Sequence, residues 1–431
     1  MKRHIRQLAI ASALAITASA AHAADAPAPA KPAAPLSFED ALTKGKVTLN
    51  ARLRYESVTQ DGAANDLNAD GLTLRTRLGY KTGVYNGFQA YAEAENTTQL
   101  GIDNYRPAPG STTNPTKAVI ADPEVTEVSQ AWLGYTYDKT NATVGRQRIV
   151  YDNARFVGDV GWRQNYQTFD AVTLKDTSFD KLTLNYAYLW NIKRIFADQT
   201  VQPDWDSNSH LFNVSYAGIP GGTLTVYGYL LDFDTNVAAA KAGVRANSCQ
   251  TYGLSYAGST PITKDLKALY RLEYATQSDY GNSALSYNAD YYAAELGAAF
   301  KGYTLTAGYE LLGSDSGTVG FKTPLATLHA FDGWADVFLN TPGAGLSDTY
   351  LKFTAPLPGK VALTAVYHYF GTDTGAADLG HEIDVTLGYK ATKQLSFLGK
   401  FASYYSDQNG AKATAGNADV RKVTVEADFA F

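Results

Sequence analysis

The chain has 431 residues, a formal charge of −5, 45% hydrophobic residues and a single cysteine, Cys249. The acidic balance gives no support for nucleic-acid binding, and one cysteine excludes both an internal disulfide framework and a multi-cysteine zinc site. Beyond the first residues no run of about 18 apolar residues exists, so no membrane-spanning helix is expected.

The first residues, MKRHIRQLAIASALAITASAAHA, have the layout of a secretory signal peptide over residues 1–23. Lys2, Arg3 and Arg6 give the basic start, Leu8 to Ala20 the apolar middle, and Ala21-His22-Ala23 the small residues that predict cleavage after Ala23. About 14 mildly apolar residues are too few to cross a bilayer, which needs about 20. An Ala/Pro-rich spacer is expected over residues 24–45, beginning with ADAPAPAKPAAP.

From residue 46 the chain alternates with period two. VTLNARLRYE sets Val47, Leu49, Ala51, Leu53 and Tyr55 against Thr48, Asn50, Arg52 and Arg54. LTLRTRLGYK, LTLNYAYLW, LKALYRLEY and EIDVTLGYK repeat the pattern, each giving a strand with one apolar and one polar face. A soluble sandwich would hide the apolar face between sheets, whereas a membrane barrel turns it to lipid and lines a wet lumen with the polar face. The connections decide. Long stretches at 57–70, 97–124, 150–167, 193–208, 234–248, 279–288, 313–346, 371–380 and 407–418 alternate with shorter ones such as 82–86, 138–141 and 301–302. Long external loops and short periplasmic turns are what a bacterial outer-membrane barrel requires. The predicted fold is therefore all-β: one transmembrane antiparallel barrel over residues 46–431. It has about 18 strands if FDGWADVFL (Phe331 to Leu339) belongs to a loop; counting it as a strand would give an odd number. Tyrosines such as Tyr55, Tyr80, Tyr274 and Tyr389 fall at the ends of apolar faces, where interfacial girdles sit.

The segment Gly145 to Val172, GRQRIVYDNARFVGDVGWRQNYQTFDAV, has no regular period. It carries four arginines (Arg146, Arg148, Arg155, Arg163), three aspartates (Asp152, Asp159, Asp170) and five aromatics. Just before it, in NATVGRQRI, the even positions change from apolar (Ala142, Val144) to cationic (Arg146, Arg148). Either a bulge near Gly145 switches the face, or the even face points inward throughout. Farther upstream, a hairpin turn near residue 84 would set Arg75 and Arg77 across from Glu93 and Glu95, which predicts cross-strand salt bridges along the wall.

The C-terminal VTVEADFAF, ending on Phe431, resembles the last strand of bacterial outer-membrane barrels. The Gly145 to Val172 segment resembles the signature of the bacterial alginate export outer-membrane family, and HAFDGWADVFLNTPGAGLSDTYLKF (His329 to Phe353) looks like a second stretch of it. The resemblance implies an eighteen-stranded monomeric barrel in the outer membrane of a Gram-negative bacterium, with an arginine-lined constriction passing an anionic uronate polymer. Internal constriction loops are expected near 149–168 and 313–346. Arg146, Arg148, Arg155 and Arg163 become candidate constriction residues, oriented by Asp152, Asp159 and Asp170, because guanidinium grips a carboxylate through two hydrogen bonds. Bracing of the loop against the wall is the plainer role for the same pairs. The expected partners are membrane lipid, an anionic solute or polysaccharide, and a periplasmic export complex. Small-solute uptake without any polysaccharide stays open as the alternative.

Other residues argue against a strongly cationic lumen. Glu93, Glu95, Glu273, Glu295, Glu310, Glu382, Asp384, Glu426 and Asp428 all fall on polar faces. His210, His329, His368 and His381 show no metal-ligand spacing, and no phosphate-binding glycine motif occurs. Neither an enzyme nor a cofactor is expected.

Overall fold

The structure, a computed structural model, describes residues 36–62, 66–200, 202–407 and 417–431. The expected signal peptide and the ADAPAPAKPAAP stretch lie outside the described residues.

Eighteen antiparallel strands close into a barrel among the described residues. They are β1 (Lys46–Gly62), β2 (Leu67–Lys81), β3 (Phe88–Asn104), β4 (Val125–Tyr137), β5 (Thr140–Gln147) and β6 (Thr168–Asp176). Next come β7 (Leu182–Lys193), β8 (Asp204–Tyr216), β9 (Gly222–Leu231), β10 (Cys249–Pro261), β11 (Leu266–Asp279) and β12 (Asn288–Phe300). The wall finishes with β13 (Tyr303–Leu312), β14 (Leu346–Leu357), β15 (Val361–Gly371), β16 (Asp378–Lys390), β17 (Leu395–Ser406) and β18 (Ala418–Ala430). Each strand pairs with its chain neighbours, and β1 pairs with β18 in the register Arg52↔Asp428 and Arg54↔Glu426. Closure satisfies every strand edge, the condition for crossing a bilayer with strands.

The alternation sorts side chains as the period predicts. Leu272 (61% exposed) and Leu296 (67%) look outward, while Arg54 on the opposite face of β1 is 1% exposed. Phe331 to Leu339 forms no strand and stays within the connection 313–345.

Some expected boundaries move. The predicted loop 57–70 is mostly strand: β1 runs to Gly62 and β2 starts at Leu67, paired from Gln60↔Leu67 downward. The sequence there is polar, but Val58 and Ala69 keep the alternation and are buried inward, and Tyr55 donates to Asp70 at 2.7 Å. Within the stretch read as a spacer to residue 45, Phe38–Thr43 forms a short helix, α1, capped by Ser37, which accepts from the Asp40 amide at 3.0 Å. This helix seats on the short-turn rim, with Gly83 N–H donating to the Ala41 carbonyl at 2.8 Å. A second helix, α2 (Ala238–Arg245), lies in the long connection after β9.

At the ambiguous strand β5, an inward-pointing even face is excluded. Val144 and its partner Val172 are both exposed on the lipid side. Gly145 adopts φ +121°, a conformation closed to other residues, yet both pairings of β5 keep their register across it. The register shifts fall instead in neighbouring pairs, at Glu93/Ala94 and Asp170/Ala171.

Candidate functional site

Three long connections turn into the barrel: residues 105–124, 148–167 and 313–345. The last two are knit together along their backbones. Val157 forms a parallel bridge with Leu325, Gly158 N–H donates to Leu325 O at 2.8 Å, and Thr327 N–H donates to Ala154 O at 3.0 Å. Gly158 has to be glycine here, since a Cβ would lie 2.2 Å from the Thr327 hydroxyl. Irregular backbone at membrane depth is tolerated because it meets protein rather than lipid.

The arginines of the 148–167 connection meet carboxylates from several elements. Arg155 is fully buried, donating to Glu310 of β13 at 2.7 Å and to Asp332 at 2.9 Å, with its guanidinium 4.7 Å from the Phe331 ring. Burial opposes its charge, but Asp332 and Glu310 outweigh that and raise its pKa. Arg163 reaches Glu56 of β1 at 3.0 Å, Asp336 at 3.0 Å and Asp122 at 3.7 Å. Burial also works against the Asp122 carboxylate, yet Arg54 and Arg163 hold its pKa below the usual range. Arg148 pairs with Asp159 and lies 4.0 Å over the Tyr166 ring; a quarter of its side chain stays exposed. Arg146 remains at the wall, bidentate to Asp170 at 2.8 and 3.1 Å, equally exposed, and it shares Asp170 with Asn191.

Asp159 and Asp170 are thus placed beside candidate arginines, whereas Asp152 is not. It accepts instead from Asn213 of β8 at 2.8 Å. On the wall, Arg77 and Glu95 face each other in register and form an ion pair. Arg75 does not meet Glu93, because the β2–β3 pairing centres two residues later than expected, setting Arg75 opposite Thr97 and Gly79 opposite Glu93. Arg75 bonds Asn50 and lies 3.6 Å from Asp428, while Glu93 accepts from Tyr91, Ser129 and Gln130.

The sequence reading missed a second cluster around Trp162. Its ring stacks on His329 at 4.4 Å and 3°, with Arg54 at 4.3 Å and the Lys400 ammonium at 3.9 Å. Lys400 lies 4.1 Å from Trp334 as well. Burial and the neighbouring cations, opposed by Asp336, push His329 down to about 3. The neutral imidazole then donates from Nδ1 to Asp336 at 2.6 Å and accepts at Nε2 from Lys400 at 2.7 Å. Lys422 reaches Asp336 at 2.6 Å. Arg54 was visible on a polar face; Asp122 and Asp336 carried no local signal, since their partners lie on distant strands.

A cavity of about 360 Å³ runs from the short turn 82–87 up to Arg148. Its polar lining includes Lys81, Gln89, Gln130, Trp132, Gln147 and Arg148. Arg148 is therefore the one residue of the irregular segment that both lines this cavity and keeps part of its guanidinium exposed. Its size lies in the range of small-ligand sites, roughly 300–1,000 Å³.

Comparison with known proteins is consistent with this architecture. A family profile described as alginate export matches residues 44–311. Among solved structures, OpdL of Pseudomonas aeruginosa superposes with a TM-score of 0.66 at 16% identity, over 90% of this chain and 99% of that one. OccAB2 of Acinetobacter baumannii gives 0.68 at 16%, over 91% and 99%, and OpdK of Pseudomonas aeruginosa, solved with vanillate, gives 0.66 at 12%, over 89% and 99%. A comparison with curated protein sequences gave no match.

Proposed function

The chain belongs to the alginate export family, and from that premise we propose that its barrel is a passive outer-membrane channel for anionic solutes, with uronate-type chains as the substrate class. The observation that carries this reading is the cavity beneath the inward loops. Arg148, held by Asp159 through Nε and Nη2, offers the rest of its guanidinium to a carboxylate, Lys81 a second cation, Trp132 a flat face for a sugar ring, and Gln89, Gln130 and Gln147 donors and acceptors for hydroxyls. The other arginines of the segment act chiefly as braces, Arg146 held by Asp170, Arg155 by Glu310 and Asp332, and Arg163 by Glu56 and Asp336. Passage is driven by a gradient or by a periplasmic export complex, through a barrel that one chain closes by itself.

A second reading, uptake of small carboxylates with no polysaccharide role, is favoured by the fold likeness to a channel solved with vanillate. Single-channel recording of the refolded protein separates the two. Oligomeric mannuronate added at micromolar concentration should block the current in discrete events that Arg148→Ala shortens. Indifference to the oligomer, with passage of monomeric carboxylates, would instead establish the small-solute reading.

A further inference from the structure

We propose that the lysines facing inward at the short-turn mouth form a capture ring for polyanions, so that the channel is loaded from its periplasmic side. The inference rests on the anionic cargo argued above and deepens it by giving it a direction.

The ring follows from strand parity. Lys46 shares a face of β1 with Arg52 and Arg54, both engaged by inward loops. Lys81 lines the cavity. Lys175 is on the face of Thr173, whose hydroxyl donates to the cavity residue Gln147. Lys267 falls on the face of Arg271 and Glu273, opposite the exposed Leu272, and Lys390 on the face of Glu382 and Asp384, opposite the exposed Leu387. Each sits at the short-turn end of its strand, Lys46 by pairing with Lys81, so five strands contribute cations at this mouth. Among the described residues none of the five has a carboxylate within ion-pair distance. That separates them from the deeper arginines, whose charge is already neutralised locally.

The turns at this end do not cancel the excess. Their acids mostly come beside a lysine, as in Asp138-Lys139, Asp180-Lys181 and Lys264-Asp265, while Lys301, Lys360 and Lys393 add to it. The opposite mouth carries the other sign. Asp61, Asp66, Asp103, Asp198, Asp373 and Asp378 are exposed there, and cations such as Lys241 and Arg245 are tied to Asp234 at 3.5 and 2.8 Å. A polyanion approaching that rim is repelled, and one approaching the lysines is concentrated. Charge of one sign at a low-dielectric mouth changes association rates by about 10- to 1,000-fold, falling steeply with salt.

The test is block of single channels in neutral phosphatidylcholine bilayers at about 0.1 M salt, with hexameric mannuronate added to one chamber at a time and orientation read from a tag in the external connection 372–377. The block association rate should be at least tenfold higher from the periplasmic chamber, and the ratio should shrink at about 1 M salt. The surface variant Lys46→Gln/Lys267→Gln/Lys390→Gln should lower the periplasmic rate about tenfold and move the external rate less than twofold. Equal wild-type rates from both sides, or a variant with an unchanged periplasmic rate, would overturn the ring while leaving the anionic cargo standing. Wild-type insertion that improves with anionic lipid, with the variant no longer responding to it, would assign the lysines to headgroups and also overturn it. No block from either side would remove the uronate reading itself, and the ring with it.

Discussion

Replacing Arg163 by alanine isolates what the lumenal ion pairs do. Arg163 faces three carboxylates, but the loss falls unevenly on them. Asp122 retains Arg54 at 3.0 Å, and Asp336 retains Lys422 and His329, each at 2.6 Å. Glu56, 2% exposed, has Arg163 as its one ionic partner among the described residues. A buried carboxylate stripped of its partner costs about 3–5 kcal/mol, and we take the lower end because the released loop lets water reach Glu56. About 3 kcal/mol raises the population of the released loop roughly a hundredfold. The barrel wall, held by its closed ladder of strands, should keep its fold and its heat-modifiable migration on gels. Hydrogen exchange of residues 148–167 should accelerate by about two orders of magnitude, with new open-level noise in single-channel traces. Adding Glu56→Gln should restore most of the protection. Unchanged exchange in Arg163→Ala would refute the reasoning, as would a double variant no better than the single one.

Arg148→Ala removes the partly exposed guanidinium of the cavity and strips the buried Asp159 of its ion-pair partner; anion preference should fall severalfold in reversal potential, and the 148–167 connection should loosen as it does in Arg163→Ala. Acid should loosen the lumenal loops, and the sign follows from the depressed groups. Asp122 is held below its usual range and His329 is lowered to about 3, so their contribution is full above the ordinary pKa values of about 3.9 and 6.5 and is lost as pH falls towards the folded values. Gating events counted across pH should therefore grow more frequent below about pH 6 and steeply so below about pH 4; fewer events in acid would contradict this. On the outside, Leu272→Arg places a charge on the lipid face and should destabilise the barrel by about 2–4 kcal/mol in urea titrations from lipid vesicles, whereas Leu272→Val should be nearly silent.

The wall was legible in the sequence because its signal is local. Leu53 with Arg54, or Leu272 with Glu273, states which face meets lipid within two residues, and the long and short connections give the hairpin order. Loop edges were less legible: Ser57 to Asp70 is polar enough to read as loop, yet pairing with β18 on one side and within its own hairpin extends both strands. Within the lumen, composition flagged Arg155 and Arg163 but not what they touch. Glu310 follows Arg155 by 155 residues, and Asp336 follows Arg163 by 173. The Arg75–Glu93 expectation failed because a two-residue shift in the centre of a turn changes every cross-strand partner while preserving the face.

Anions are proposed to pass a cavity where Arg148, though paired with Asp159, keeps a quarter of its side chain exposed, while Arg155 and Arg163 are buried in their pairs. Reversal potential of the refolded protein under a tenfold potassium chloride gradient tests this most directly. Anion selectivity is expected in the wild type, reduced in Arg148→Ala and retained in Arg146→Ala, whose guanidinium is bound to Asp170 at the wall. A cation-selective wild-type pore, or selectivity indifferent to Arg148, would contradict it.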